Sequence, residues 1–468
     1  MSTFSGLSGA LSSLYAQRRG LDVTGQNIAN ANTDGYSRQR VDLQSVGGSA
    51  VPAMFSVSDG TAGGVTVSDV ARIQDAFLEA RGRIEHAQNT YLADQNRVYT
   101  NVQQAIGALN TTGLQKQLTD LWGAWHDLAN QPGSAIDGAT RGQVIARSQT
   151  VVDTLHATHD ALASLYSTTR EQLDSYVTEV NTTATQVAQL NQAVIRGTQA
   201  GLPVNELADQ RDQLVMHLAE LTGATAVPRA NGSMDLLLGG SSLVSGDVAR
   251  QIQVSGAGRL DDVATQPVTL SWTDNSAGVA GVGGQVASSL DALNTVIPNY
   301  SGQLDQVAVA LHDTVNAQHM LGYDVNGNPG TAFFGPVPPS TVAVTAGSIS
   351  VLITNTNDVA ASSTPGGTRD GGNADLIAGI GTSAPGPDTA FRSLVANLGI
   401  AAQQADRRAS VQDTLTKNVD SARTAQSGVN LDEEMTNLIA FQRAYQAASR
   451  VITTIDSTLD TLINHTGA

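Results

Sequence analysis

The chain has no cysteine, which excludes disulfides, thiolate metal sites and cysteine nucleophiles together. Aromatic residues make up only 4% and charged residues only 14%. Its cores must therefore rest on Leu, Val, Ile and Ala, a composition that suits long helices packed closely. Positive charge is also scarce: 25 Lys and Arg against 42 Asp and Glu leave a formal charge of −17. That balance repels phosphates and anionic headgroups, so neither nucleic-acid binding nor membrane insertion is expected. No apolar run approaches the length of a membrane span. The opening stretch MSTFSGLSGALSSLYAQRR lacks a basic n-region and a continuous apolar run, so no cleavable signal is expected in it.

Motifs that carry chemistry are missing too. There is no Gly-x-Ser-x-Gly and no His-Glu-x-x-His, and the stretch from Gly278 to Gly284 lacks the dinucleotide-binding pattern. Asp324-Val325-Asn326-Gly327-Asn328 begins like an EF-hand loop. Pro329 then stands where glycine is needed and Gly335 where a bidentate glutamate is needed, so a tight turn is expected. His156 and His159 lie one helical turn apart beside Asp160, but no third ligand has suitable spacing, and they read as surface residues. No catalytic residue, cofactor or metal is assigned, and the chain is not read as an enzyme.

What is present lies at the two ends. Phe4, Leu7, Leu11, Leu14, Arg18, Leu21, Gly25 and Ile28 step by threes and fours, apolar except at Arg18 and Gly25. Leu438, Phe441, Tyr445, Ala448, Ile452, Ile455, Leu459 and Leu462 do so without interruption. Both are heptad seams of helices that pack lengthwise. Asn430 is placed to cap the last helix and Glu433 to reach back as a capping-box acid. From Asn430 to Asn464 that helix would be roughly 50 Å long. A stripe this long suits an ordinary core, or a stalk in which the first helix pairs with the last and the rest projects outward. Between the first helix and the next segment, Ala29-Asn30-Ala31-Asn32-Thr33-Asp34-Gly35-Tyr36 reads as a helix stop and reversal.

That octet resembles the turn shared by the flagellar rod, hook and hook-associated proteins. The C-terminal signature of the family is similar to Ser427-Gly428-Val429-Asn430-Leu431-Asp432-Glu433-Glu434, followed by Phe441-Gln442-Arg443-Ala444-Tyr445-Gln446-Ala447. Two motifs at opposite ends and in the right order carry the resemblance. Asn30, Asn32, Thr33, Gly35, Tyr36, Asn430, Leu431, Gln442, Arg443 and Tyr445 are its motif positions here. The Ser-Gly-Val-Asn-Leu-Asp-Glu-Glu form and a helix-rich middle resemble the hook-associated branch that builds the hook–filament junction. The runs Val315 to His319, Gly322 to Gly327 and Asp235 to Leu238 resemble it as well. The resemblance implies an extracellular structural part of the flagellum, exported unfolded through the type III channel without signal cleavage. It implies self-assembly into a ring, with hook protein below, a second junction protein and flagellin above, and an export chaperone on the C-terminal segment. A different class, an adhesin whose β inserts bind a surface ligand, is the alternative.

The expected fold is mainly α with β insertions, its terminal helices paired as a coiled-coil-like stalk. Residues 1–43 and 426–468 form the terminal unit. Residues 44–223, 284–322 and 386–425 form a helical rod with an extended linker at 44–70. Residues 224–283 and 323–385 form β-rich modules. Within the rod, Ile73, Phe77, Ile84, Tyr91 and Val98 are expected to be buried, as are Leu118, Leu121, Trp122, Trp125 and Leu128. A long helix is expected over 140–198, and one from Gly284 to His319 with a bend at Pro298. The seam residues other than Arg18, Gly25 and Ala448 are the candidate assembly interface.

Overall fold

The computed structural model describes residues 3–46, 63–107, 113–132, 138–336, 342–366 and 369–465, with side chains from residue 6 to 464 within those ranges. Helix α1 (Thr3–Ala29) leads through the turn into an antiparallel hairpin of β1 (Gln39–Val46) and β2 (Gly64–Arg72). Helix α2 (Ala76–Ile106) is capped by Asp75, whose carboxylate accepts from the N–H groups of Phe77 and Leu78. Helices α3 (Leu114–Asn130), α4 (Ala139–Gln199) and α5 (Asn205–Thr222) follow. At 61 residues, α4 is the spine, about 90 Å long at 1.5 Å per residue. Its fully buried Val144, Val151, Leu155, Leu162, Leu173, Val180 and Val187 keep one apolar stripe facing α3, α5 and the later helices.

Strands β3 (Thr225–Pro228), β4 (Met234–Leu238), β5 (Ser241–Ser245) and β6 (Val248–Ala249) form an antiparallel four-stranded sheet in sequence order. Strands β7 (Ile252–Ser255) and β8 (Thr269–Trp272) form a pair. Helix α6 (Gly284–Asp291) passes through a π turn at Ala292–Val296 into α7 (Ile297–His319). The irregularity expected at Pro298 thus falls just before it, where the missing proline N–H would have been needed. Strands β9 (Phe334–Pro336) and β10 (Ile349–Val351) pair, and α8 (Gly372–Ala378) precedes the long α9 (Pro387–Ser427) and α10 (Leu431–Asp460). Among the described residues, no helix is long and apolar enough to cross a membrane.

Helix asparagines fasten the strands to the rod. Asn181 donates to the Ile252 carbonyl (2.8 Å) and accepts from its N–H (2.9 Å). Asn191, fully buried on α4, does the same for Met234 at 2.8 and 2.9 Å. Asn294 holds Val268, and Asn316 receives the N–H groups of Phe333 and Phe334. Each carboxamide completes backbone pairs that the short strands leave open, which a buried edge requires.

Some expectations need correction. Residues 323–385 are not β-rich: among the described residues they hold only the short strands β9 and β10, and turns, a short α-helix and 3-10 segments fill the rest. Their many Gly, Pro, Asn and Ser residues favour turns over ladders. Residues 39–46 and 64–72, including both flanks of the extended linker, are antiparallel paired strands. Phe77 and Ile84, expected in the core, are 69% and 61% exposed, because α2 buries the face bearing Gly82, Leu92 and Val102 instead. The boundary expected between residues 425 and 426 falls inside the unbroken α9.

The core closes around Trp125, which meets Phe333 at 5.5 Å between ring centroids, with His319 and Phe334 beside them. His319 is fully buried; its Nδ1 donates to the Thr331 carbonyl (2.7 Å) and its Nε2 accepts the Ala360 N–H (2.9 Å). Protonation would break the second bond. Burial pushes its pKa down to about 4, and Arg141 adds to this. The unfolded histidine binds a proton near its ordinary value and the folded one does not. Its contribution is therefore present above about pH 6.5 and is lost as pH falls toward about 4. Phe333→Ala should cost about 4 kcal/mol in denaturant unfolding. His319→Gln should flatten the loss of stability between pH 6.5 and 4 relative to the parent chain, measured by unfolding at stepped pH. An equal slope in both would show that His319 does not titrate on unfolding.

Candidate assembly interface

The turn after α1 is far more than a helix stop. Asn27, 1% exposed, donates from Nδ2 to the Gln39 carbonyl (2.9 Å) and to Glu434 Oε2 (3.0 Å). Its Oδ1 accepts from the Tyr36 hydroxyl (2.8 Å) and the Gln39 N–H (3.0 Å). Arg38 reaches Glu434 Oε1 at 2.8 Å and Glu433 Oε2 at 2.7 Å. Its own N–H donates to the Ser427 carbonyl at 3.0 Å. Ser37 N–H donates to Asp209 at 3.1 Å, and Arg72 bridges Asp209 (2.9 Å) and Asp212 (2.8 Å). Asn27, the residues Tyr36 to Gln39 that follow the octet's turn, and Arg72 therefore tie α1, α10, the hairpin, α5 and the end of α9 into one joint. Gly35 at φ 75° makes the reversal. Burial, reinforced by Asp209, Glu206 and Glu434, pushes the Tyr36 pKa up to about 12, so its hydroxyl stays a donor at neutral pH. Asn430 caps α10 as expected, accepting from the N–H groups of Asp432 and Glu433. Glu433 does not reach back as a capping-box acid, because Arg38 takes its carboxylate.

The rod side of the joint is also polar. Arg423 of α9 pairs with Glu79 (2.8 Å) and Asp420 (3.1 Å). His86 of α2 lies between Glu220 of α5 (2.9 Å) and Asp420 (3.0 Å). Its bond to Glu220 leads the effects that raise its pKa against the cost of burial, and Asp420 adds to them.

Beyond the joint, α1 and α10 lie antiparallel in constant register, Asn27 beside Glu434, Gly20 beside Phe441 and Gly6 beside Ile455. The contact is made by small residues. A Cβ on Gly20 would stand 2.7 Å from the Phe441 ring, so only glycine lets the helices approach this closely. On α10 the expected seam is the inward face: Leu438, Phe441, Tyr445, Ile452, Ile455 and Leu459 are half-buried, while Leu462 is 52% exposed. On α1 the buried face is instead Ala10, Ala16, Gly20, Val23, Thr24 and Asn27. The expected α1 seam lies about a third of a turn away at 3.6 residues per turn. Leu7, Leu14, Leu21 and Ile28 are half-buried there, and Leu11 is 44% exposed. The side chain of Phe4 lies outside the described residues. Of the motif positions, Thr33 donates to the Asn30 side chain, while Asn32, Gln442 and Arg443 are exposed.

Sequence reasoning gave no bonding role to Arg38 or Glu434, which it named only as part of the motifs, and passed over Asn27 and Asp209. A signal for the close approach was present: Gly6, Ala10, Ser13 and Gly20 repeat small residues at helical spacing on α1.

The other flagged motifs resolve as turns and packing. Asp324 accepts from the N–H groups of Asn326 and Asn328, both at 2.8 Å, closing the expected tight turn. His156 bonds the Ile349 carbonyl, and His159 is largely covered, so neither is the open surface residue expected. Among the described residues, no cluster of His, Asp and Glu suits a metal.

Long paired terminal helices, a polar joint and a helical rod bearing small β modules define a flagellar axial protein. Matching family profiles cover both ends and the middle. The flagella basal body rod protein profile matches residues 7–36, and the flagellar basal body rod FlgEFG protein C-terminal profile matches residues 421–465. The flagellar hook-associated protein FlgK helical domain profile matches residues 99–334. Flagellar hook-associated protein 1 of Bacillus subtilis is 30% identical over 100% of this chain and 99% of its own length. That of Escherichia coli is 24% identical over 98% and 99%. The flagellar hook junction protein FlgK of Burkholderia pseudomallei shares the fold, with a TM-score of 0.62 at 17% identity over 74% of this chain and 100% of that one. The chain belongs to the flagellar hook-associated protein 1 (FlgK) family. It is a structural component of the flagellum with the hook–filament junction role of that family. Nothing in these matches supports the adhesin alternative.

Glu434 is 2% exposed and holds two partners from the opposite end of the chain. Glu434→Ala leaves Arg38 and Asn27 without it, and losing one member of a buried pair costs about 3–5 kcal/mol. Amide exchange should accelerate across α1 and α10 while the α4 core keeps its protection. Unchanged exchange at α1 would show that the joint does not hold the terminal pair.

Proposed function

We infer that this chain assembles as a short ring at the distal end of the hook, with hook protein below and a second junction protein and flagellin above. The observation that carries this reading is apolar surface left open on the terminal pair. Leu11, Tyr15, Leu431, Met435, Ile439 and Val451 are 44, 61, 50, 49, 44 and 48% exposed. Covering such surface contributes about 25 cal/mol per Å², and sister copies along a tubular axis are the natural cover. The role is mechanical rather than enzymatic.

Export as an unfolded chain, without signal cleavage, to an extracellular position fits the same reading. So does a chaperone that covers the C-terminal segment before assembly. In the free subunit the terminal helices lack those neighbours, and part of the docking energy goes into ordering them. Helices α1 and α10 then act as the axial unit, and the rod and its strand modules fold by themselves.

Limited proteolysis of the free monomer should trim both ends before the rod. Ile452→Asp places a charge in the inward face of α10 and should block incorporation while leaving the rod folded. Junctions of normal occupancy built from that variant, or termini as protected as α4, would overturn this reading.

A further inference from the structure

A groove of 510 Å³ runs between α2 and the start of the strand module, where Ala80, Ile84 and Ala87 face Ala224, Val282 and Ala287. Ile84 is 61% exposed, so nothing in the lone chain covers it. Arg83 lines the same groove. It is half-buried and, among the described residues, makes no hydrogen bond or ion pair. Burial lowers its pKa, opposed by Glu79 and Asp212. Both acids are engaged elsewhere, Glu79 by Arg423 and Asp212 by Arg72 and Arg211. A guanidinium losing water beside an apolar floor is matched by a carboxylate carried on an apolar helix face.

The same chain presents such a face. Leu431, Met435 and Ile439 recur every four residues on α10 and are 50, 49 and 44% exposed. Asp432 shares that side of the helix, three residues before Met435 and seven before Ile439. Its carboxylate is exposed and makes no ion pair among the described residues. The face points away from α1, and Ile84 and Ile439 are both open, so the chain does not join groove and stripe within itself. Both flank the joint: Asp432 follows the cap Asn430, and Ala80 follows the Glu79–Arg423 bridge.

We propose that this groove receives the first two turns of α10 from a second copy of the chain, with Asp432 meeting Arg83 and Met435 and Ile439 lying against Ile84. A groove on one copy filled by a stripe on the next is a heterologous contact, which closes into a ring or continues as a helix. The proposal rests on the axial-assembly reading and specifies one of its contacts.

Full-length variants in flagellated cells test it, read as the amount of chain retained in purified hook–filament preparations. Arg83→Glu and Asp432→Arg should each lower retention about tenfold, and the combined charge swap should restore most of it. Circular dichroism of each purified variant should match the parent. The chain has no native cysteine, so Ile84→Cys with Ile439→Cys should give chain-to-chain disulfides in assembled flagella. Single charge variants that are retained like the parent, a swap without recovery, or an I84C thiol joined to a different protein would overturn the proposal. Ile452→Asp separates the two levels. If it blocks retention while the charge variants do not, the groove contact falls and the axial reading stands. If Ile452→Asp is retained normally, both fall.

Discussion

The placement of the terminal helix pair on the rod depends on bringing Asn27 and Glu434, 407 positions apart, within 3.0 Å. For a free chain, the length-dependent closure cost would be about 5 kcal/mol. The rod removes most of it. Helices α2 and α9 lie antiparallel, with His86 beside Asp420 and Glu79 beside Arg423. The hairpin that precedes α2 and the Gly428 turn that ends α9 are thereby delivered to one place. There Asn27 uses its full bonding capacity, two donations and two acceptances. A carboxamide suits this point because it bonds one strand's N–H and C=O together and still reaches a carboxylate.

The elements themselves were legible in the sequence. The α3 apolar face (Leu118, Leu121, Trp122, Trp125, Leu128) is buried throughout, because 3.6-residue periodicity reports the side of a helix that leaves water. The pairing of first and last helix was also legible, since two unpaired stripes at opposite ends have one economical solution. What misled was the assumption that the greasiest stripe on α1 makes that pairing. Close approach is decided by what is absent from a face. Gly6, Ala10 and Gly20 allow backbone proximity, whereas Leu7, Leu11 and Leu14 would hold the helices apart.

The polar joint was hidden for a different reason. A buried carboxylate looks the same in sequence as a surface one, and Glu434 sits among Asp432 and Glu433 as in any acidic first turn. Only tertiary structure tells them apart: Asp432 is open, Glu433 is partly covered by Arg38, and Glu434 is sealed. The asparagines of α4 were equally silent. Asn181 and Asn191 lie on a helix whose neighbours Thr182 and Thr185 bond the preceding turn, and nothing local marks them as strand anchors. Phe77 and Ile84 fit the periodicity of α2 and yet face solvent, which makes them informative.

A monomer that is merely soluble has no physical need for open apolar faces on α10, α1 and α2 next to a fully packed Trp125 core. The core is built from contacts that leave those faces open. The open faces belong to elements whose own packing is thin, glycine and alanine contacts that gain little dispersion energy per residue. Thin packing within the terminal pair and unmet apolar surface around it act in the same direction. Closing α1 on α10 gains the lone chain little, and surface that a partner covered there would contribute more. The joint connects the two regimes. Glu434 and Asp209 are closed off within the chain by Arg38 and Arg72, so the joint links α1 and α10 to the rod through bonds that no neighbour has to supply.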